Sequence, residues 1–193
     1  MLLPGSAASY AYLCGMYLGD GHITGYRGAY GLHITLDGIY PEIIAACVDA
    51  MHRAAPSVSI KTRQRRNSRA VVVYGYSRHW LCLFPQHGPG RKHLRSIALA
   101  EWQEVIVARY PVEFLRGLVH SDGCRSVNTV RTASRTYRYT RYFFRNASED
   151  IMGLFGVTCD RLGVKWTRSG PRTISVSKRS SVLQLDEWIG PKR

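Results

Sequence analysis

The chain has 193 residues, 45% of them apolar, which is enough for one sizeable domain or two compact halves and argues against wholesale disorder. Its formal net charge is +14 at pH 7, and 22 of its 27 basic residues are Arg, which binds phosphate and guanine in a bidentate manner. This bias favours a nucleic-acid partner. The alternatives are a basic protein without an acidic partner and a protein of anionic membrane surfaces, although no long basic amphipathic helix supports the second.

The cysteines and the hydropathy pattern indicate an intracellular protein. Five cysteines are scattered without a C-x-x-C pair, which argues against a disulfide framework and against a zinc site. No stretch approaches the roughly 18 apolar residues of a membrane span, and the N-terminus lacks the basic region of a signal peptide. We therefore expect reduced thiols, no membrane partner, and a location in the cytoplasm, the nucleoid or an organelle.

Hydrophobic periodicity and turn residues predict the elements of the first half. The first helix is expected at 9–19, with Ser9 as its N-cap and Gly21 as its C-terminal stop. The elements that follow are a hairpin at 22–36, a helix at 40–55 with Pro in its first turn, a hairpin at 57–77 with R-R-N-S-R at its tip, a Pro/Gly-rich break at 84–93 and a helix at 97–110.

The second half repeats this order. Its predicted elements are a helix at 112–121, two long strands within 125–148, a helix at 149–163, a hairpin at 164–179 with Ser-Gly-Pro at its turn, and a short final helix in 183–193. No long linker separates the two series. We therefore expect two halves, 1–111 and 112–193, that pack tightly against each other.

Each half opens with a helical sequence that ends in Asp-Gly. The segments L-C-G-M-Y-L-G-D-G (13–21) and L-R-G-L-V-H-S-D-G (115–123) share Leu, Gly, Asp and Gly at the same positions. One Gly-x4-Asp-Gly match is expected only about 0.06 times in a chain of this composition. The pair therefore indicates an internal duplication.

The shared glycines predict how the two helices meet. Gly within a helix costs about 1 kcal/mol relative to Ala, so Gly15 and Gly117 indicate a close helix crossing. Such a crossing places Asp20 and Asp122 side by side at two helix C-termini, which already carry partial negative charge. A cation between the two carboxylates would relieve this repulsion.

Mg²⁺ suits such a site because it prefers oxygen ligands and keeps several waters. The backbone carbonyls of Gly19 and Ser121 can join the carboxylates of Asp20 and Asp122 as ligands. The alternative, which each motif taken alone favours, is that the Asp only begins the turn that follows the helix.

The two motifs resemble the LAGLIDADG motif of homing endonucleases, and the similarity extends to the order of elements over nearly the whole chain. The resemblance implies an α+β fold built from a pseudo-twofold duplicated αββαββα unit. Its two antiparallel four-stranded sheets form a saddle in the DNA major groove, and the motif helices form the interface between the halves. It also implies a monomer with internal pseudo-twofold symmetry that binds double-stranded DNA.

The same resemblance implies the catalytic residues. The last motif Asp binds Mg²⁺ beside the scissile phosphates, which here corresponds to Asp20 and Asp122. Mn²⁺ is expected to substitute, and Ca²⁺ to bind without supporting cleavage. A Lys near the end of each sheet region neutralises charge or organises water, and by position the candidates are Lys92 and Lys192. The alternative for each is a solvated loop lysine.

One motif position departs from the family pattern. The sixth position, often acidic in the family, is Leu18 in the first motif and His120 in the second. Because both metal-binding Asp positions are kept, the departure bears on local structure more than on activity.

The strands supply a basic surface. Alternation places Lys61, Arg63 and Arg65 on one face, and it does the same for Tyr137, Tyr139 and Arg141. A β-ribbon fits the major groove, where Arg recognises guanine, and Gln or Asn recognises adenine. The candidate DNA-binding residues are Arg27, His33, Lys61, Arg63, Arg65, Arg69, Tyr74, Arg125, Asn128, Arg131, Arg138, Tyr139, Arg141, Lys165, Arg168 and Lys178.

The sequence therefore predicts a site-specific, Mg²⁺-dependent endonuclease that makes double-strand breaks with 3′ overhangs at a long target site, as in intron homing. Two alternatives stay open. One is a non-catalytic DNA-binding regulator on the same scaffold, and the other is an RNA maturase whose basic surface binds a folded intron.

Overall fold

A computed structural model describes residues 4–190 and 192 of the chain. Along this part the helices are α1 (Ala7–Asp20), α2 (Pro41–Ala54), α3 (Trp80–Leu83), α4 (Glu101–Arg109), α5 (Pro111–Asp122), α6 (Glu149–Arg161) and α7 (Arg179–Ile189). The strands are β1 (Gly21–Tyr26), β2 (Ala29–Asp37), β3 (Lys61–Gln64), β4 (Ala70–Ser77), β5 (Gly123–Arg131), β6 (Thr136–Arg145), β7 (Thr167–Gly170) and β8 (Thr173–Val176).

The strands form two antiparallel sheets with the same topology. The first has the order β1-β2-β4-β3 and the second β5-β6-β8-β7. The register matches as well, since Gly21 pairs with Ile34 in the first sheet, and Gly123 pairs with Phe144 in the second. The predicted α+β fold class, with two four-stranded sheets, is confirmed.

One face of each sheet packs against the helices. In β2 this face carries Leu32, Ile34 and Leu36, and in β6 it carries Tyr142 and Phe144, all of them buried. We call the opposite face of each sheet, which is turned away from the helices, the open face. Because successive side chains of a strand point to opposite faces, every second residue of each strand lies on the open face.

Helix α1 lies at the centre of the core. Every residue from Tyr10 to Leu18 is buried. Its closest neighbour is α5, and a Cβ built at Gly15 would lie 2.5 Å from the carbonyl oxygen of Phe114, while one built at Gly117 would collide with the carbonyl oxygen of Tyr12. The predicted crossing at the two motif glycines is confirmed.

The ends of the motif helices differ from the prediction. The N-cap of α1 is Ser6 and not Ser9, because the Ser6 hydroxyl accepts a hydrogen bond from Ser9 N at 3.3 Å. Gly21 has extended backbone angles (φ −90°, ψ 149°) and not the left-handed conformation of a glycine stop. Glycine is needed there because a Cβ would lie 2.6 Å from Tyr17 Cα.

The segment between the halves is more structured than the sequence indicates. Helix α3 precedes the expected break, a 3₁₀ turn at Lys92–Leu94 lies at its end, and α4 begins at Glu101, not at 97. The final helix begins at Arg179, earlier than expected, and residues 191 and 193 of the predicted tail lie outside the described residues.

This segment also ties the halves together. Ile97 N donates a hydrogen bond of 2.7 Å to Asp150 Oδ2 on α6. Within the first half, buried Gln103 of α4 donates to the Tyr10 hydroxyl on α1 at 2.6 Å. None of the described helices has the length and apolarity needed to cross a bilayer.

The helix crossing generates a stability prediction. In Gly117→Ala the new methyl group meets backbone that cannot move aside, so we expect the free energy of unfolding to fall by about 1–3 kcal/mol. Gly153 on α6 is the matched control, because a Cβ there meets nothing within 4 Å. Gly153→Ala should be neutral or stabilising by up to about 1 kcal/mol. Urea denaturation of both variants measures the difference, and equal stability would contradict the crossing.

Candidate active site and DNA interface

The two motif carboxylates converge at the C-termini of α1 and α5. The approach is so close that a Cβ built at Gly19 would lie 2.8 Å from Asp122 Oδ2. Burial, and then the charge of Asp122, raise the pKa of Asp20 to about 6. Burial also raises the pKa of Asp122. Each half-buried carboxyl group makes the negative charge of the other less favourable, so the site attracts cations.

Lys92 caps the first motif helix. From the 3₁₀ turn its Nζ reaches the carbonyl oxygens at the end of α1, at 2.5 Å (Tyr17), 2.8 Å (Leu18), 3.0 Å (Gly19) and 2.8 Å (Gly21). Burial lowers the pKa of Lys92 to about 8, while the carboxylates of Asp122 and Asp20 oppose this shift. The ammonium group therefore satisfies orphan carbonyls and offsets the negative helix end.

Lys192 caps the second motif helix in the same way. Its Nζ donates to the carbonyl oxygens of Val119 at 3.3 Å, His120 at 2.6 Å and Ser121 at 3.0 Å. Burial lowers its pKa, and Asp20 and Asp122 oppose the shift. Neither lysine is therefore a solvated loop residue.

The oxygen atoms at this junction fit a hard divalent cation. The carboxylates of Asp20 and Asp122 are oxygen donors, as Mg²⁺ prefers. The carbonyls of Gly19 and Ser121 accept hydrogen bonds from Lys92 and Lys192, and each keeps a second lone pair for a cation. Within 4–190 and 192, no three His, Cys, Asp or Glu side chains are placed to hold a metal together. Two carboxylates must therefore be completed by carbonyls, waters or ligand oxygens, which again suits Mg²⁺ and not Zn²⁺.

Asn146 is a residue of the site that the sequence analysis missed. It follows β6, and its Nδ2 donates a hydrogen bond of 2.6 Å to Asp122 Oδ2. Its Oδ1 accepts from Ser148 N at 2.7 Å, which fixes the orientation of the amide. By register the corresponding residue of the first half is Leu36, which is buried and apolar. The two carboxylates therefore have unequal surroundings.

His120, at the divergent sixth motif position, links the halves. Its Nδ1 lies 2.9 Å from the Tyr12 hydroxyl on α1, and its Nε2 lies 3.1 Å from the carbonyl oxygen of Ile189 on α7. Burial lowers its pKa to about 4. The neutral ring accepts from Tyr12 and donates to Ile189, so this position serves the interface between α1, α5 and α7.

The open face of the first sheet carries stacked rings and basic side chains. The His33 ring is stacked with His22 at 5.0 Å and with Tyr74 at 5.8 Å between ring centroids. Lys61 pairs with Tyr74 in register, and the Arg63 guanidinium lies 5.8 Å from the Tyr74 ring centroid. The predicted group of His33, Tyr74, Lys61 and Arg63 shares one face.

The open face of the second sheet carries three of the predicted residues. Asn128 pairs directly with Tyr139, and Ser126 pairs with Arg141. These positions alternate with the buried Tyr142, so they point away from the helices. Asn128, Tyr139 and Arg141 therefore lie together.

Four predicted arginines lie on the other face of the second sheet. Arg125, Arg131, Arg138 and Arg168 all have the strand parity of core residues, so they do not share the open face with Asn128, Tyr139 and Arg141. Arg125 forms an ion pair with Asp186 of α7 at 2.7 Å. Arg168 is bound by Glu149 of α6 and donates to the carbonyl of Pro171 at 2.7 Å.

The remaining candidates lie at the ends of elements. Arg27 has a positive φ of 43° in the turn between β1 and β2. Arg65 extends β3 through a backbone hydrogen bond of 2.8 Å to Ala70 O, and Arg69 lies 3.4 Å from Asp37. Lys165, before β7, and Lys178, the N-cap of α7, are exposed.

The chain has the fold of the LAGLIDADG homing endonucleases. The structure of I-DmoI in complex with DNA and Mn matches with a TM-score of 0.59 and 14% identity over 97% of this chain and 98% of that one. The LAGLIDADG meganuclease I-AabMI bound to uncleaved DNA gives a TM-score of 0.55 and 12% identity over 93% of this chain and 82% of that one. A variant of I-SmaMI gives 0.57 and 11% over 93% and 84%.

No protein-family model matches the sequence, and no curated protein matches it either. The likeness at 11–15% identity therefore rests on the fold, together with the two motifs.

The lysine caps generate a second stability prediction. Lys92→Met keeps the apolar stem and removes the ammonium group, which leaves the carbonyls at the end of α1 without their donor. We expect the free energy of unfolding to fall by roughly 1–3 kcal/mol. The neighbouring exposed Arg91 provides the control, since Arg91→Met removes a charge without a buried partner. Thermal or urea denaturation distinguishes them, and two equally stable variants would show that the cap contributes nothing.

Proposed function

We propose that this protein is a site-specific DNA endonuclease that cuts both strands of a long target and leaves 3′ overhangs. The observation that carries the proposal is the convergence of Asp20 and Asp122, each beside a lysine-capped helix end, on the fold of the LAGLIDADG homing endonucleases. In that interpretation the chain acts as a monomer, since its two halves, 1–111 and 112–193, each supply one carboxylate and one sheet.

The proposed substrate is double-stranded DNA. The net charge of +14 and the basic open faces favour a polyanion. The DNA-contacting set that we propose comprises Arg27, His33, Lys61, Arg63, Arg65, Arg69, Tyr74, Asn128, Tyr139 and Arg141, with Lys165 and Lys178 at the margin of the second sheet. The four arginines on the helix side of that sheet are left out.

The chemistry proposed is hydrolysis of phosphodiester bonds. Mg²⁺ bound at the junction, or Mn²⁺ in its place, would supply Lewis-acid stabilisation of the attacking and leaving oxygens, whereas Ca²⁺ is expected to bind without supporting cleavage. Asp20, Asp122 and the carbonyls of Gly19 and Ser121 are the groups that would hold the ion.

The chain's own residues have the remaining roles. Lys92 and Lys192 place two ammonium groups beside the carboxylates, where they would stabilise negative charge on a phosphate. Asn146 would hold the Asp122 carboxylate in one orientation, so it is a positioning residue. The α1–α5 crossing sets the spacing of all of these groups.

Replacing one carboxylate tests the catalytic assignment. Asp20→Asn should abolish cleavage of a supercoiled plasmid that carries a target obtained by selection of randomised duplexes in Ca²⁺. Duplex binding should survive. Because the neutral amide no longer opposes Asp122, we also expect the melting temperature in EDTA to rise by about 2–4 °C, the equivalent of 1 kcal/mol in a chain of this size.

Asp49→Asn is the control for this variant, because Asp49 is exposed and forms an ion pair with Arg53 along α2. It should cleave like the parent protein. Full activity of Asp20→Asn would refute the assignment. A parent protein that binds the target but does not cut it in Mg²⁺ would be a non-catalytic DNA-binding regulator, and preferential binding of structured RNA would favour a maturase.

The salt dependence of binding tests the proposed DNA surface. If roughly 6–10 phosphates are contacted, log K should fall with log[salt] with a slope of about −5 to −9. Arg141→Ala removes an open-face cation, so it should weaken binding, either with a slope shallower by nearly one unit or with a loss confined to one base pair. Arg168→Ala, on the helix side, should leave affinity and slope unchanged. Fluorescence anisotropy on specific and scrambled duplexes measures both, and equal behaviour of the two variants would contradict the assignment.

A further inference from the structure

The second half projects a bare two-stranded ribbon. β5 and β6 pair from Gly123–Phe144 to Arg131–Thr136, whereas β8 accompanies β6 only over Tyr142–Arg145. No third strand of the described residues therefore supports the hairpin from Ser126 to Arg141. The first half differs, because β4 pairs with β2 from Tyr30 to Asp37. An isolated ribbon of this width fits the DNA major groove.

The two faces of the ribbon differ in chemistry. On the open face Val130 pairs with Tyr137, and Asn128 pairs with Tyr139. The two tyrosine rings are stacked at 6.1 Å between centroids. On the opposite face Val127 pairs with Thr140, and Thr129 pairs with Arg138. The open face thus carries apolar and aromatic side chains and one amide, with Ser126 and Arg141 at its base.

This apolar surface is exposed. Val130 is 42% exposed, and Tyr137 and Tyr139 are 38% and 48% exposed. The surrounding stretch 123–148 contains six Arg and no Asp or Glu, so its charge attracts a polyanion and not an apolar protein surface. The open face is continuous with Arg141 and with the junction that holds Asp122. The ligand that fits both the charge and this continuity is DNA. The part of the DNA target that would lie along the ribbon, away from the cleavage site, is called its outer arm.

We propose that the open face of the β5–β6 ribbon recognises thymine through its 5-methyl group in the outer arm of the target, with Val130 as the specificity-determining contact. The inference rests on the proposed function as a DNA-binding endonuclease. Thymine is the base that presents a methyl group in the major groove, and apolar side chains are its natural contact. Asn128, on the same face, supplies the amide geometry for an adjacent adenine.

The expected size of the effect follows from the methyl group alone. Burying one CH₂-sized group is worth about 0.8 kcal/mol, which corresponds to about a fourfold change in affinity. Substituting deoxyuridine for thymidine removes the methyl group and leaves all hydrogen-bonding groups of the base in place. The substitution therefore isolates this contact from phosphate and amide contacts.

The experiment scans the selected target. Each thymidine of both strands is replaced in turn by deoxyuridine, and the dissociation constant is measured in Ca²⁺ for the parent, Val130→Ala and Val127→Ala. For the parent we expect about fourfold weaker binding at one or more positions of a single outer arm. Val130→Ala should bind both duplexes alike at such a position. Val127→Ala, the matched control on the opposite face, should behave as the parent.

The outcomes separate the inference from the function on which it rests. The inference is overturned if no deoxyuridine weakens binding of the parent, if the effect persists in Val130→Ala, or if Val127→Ala removes it equally. Val130→Thr, which keeps the β-branched shape, guards against a folding defect and should show an intermediate effect. If the parent selects no duplex at all, both the inference and the proposed function fail. If it selects a duplex whose binding does not depend on thymine methyl groups, only the inference fails.

Discussion

The close crossing of α1 and α5 is the constraint on which the rest of the structure depends. Because Gly15 and Gly117 have no side chains, the two backbones approach to a distance that any larger residue would prevent. The helices then end together, so Asp20 and Asp122 share one small volume. The sheets follow directly from the helix ends, since β1 begins at Gly21 and β5 at Gly123. One contact therefore positions the candidate active site and both sheets at once.

This arrangement brings like charges together, and the lysines balance them. Two carboxylates and two helix C-termini are negative, and burial makes each charge more costly. Lys92 and Lys192 contact the carbonyls of the helix ends, and within residues 4–190 and 192 neither carboxylate forms a salt bridge. The helix ends are thereby neutralised, while the carboxylates keep their capacity for a cation. The raised pKa of Asp20 is consistent with this incomplete compensation.

The sequence predicts the duplication, the crossing and both carboxylates because each leaves a local signature in the motif. It predicts less well which face of a strand is buried. In β6 the even positions carry Tyr142 and Phe144 and the odd positions carry Tyr139 and Phe143, so hydrophobic alternation does not decide between the faces. The alternation therefore does not reveal that Arg138 and Arg141 lie on opposite faces. Asn146 was missed because its role depends on a contact between distant residues, and no local pattern records such a contact.

The two halves keep the same helix ends and differ in their sheets. The motif glycines, the carboxylates and the lysine caps occur in both, because the crossing is one shared contact that a change on either side would disturb. The sheets are bound by no such condition, since in the proposed function each open face would meet only its own arm of the target. The first therefore carries stacked rings of His33 and Tyr74 on a fully paired sheet, and the second carries a bare ribbon. In the proposed function, a duplicated scaffold would in this way bind an asymmetric sequence around one shared helix crossing.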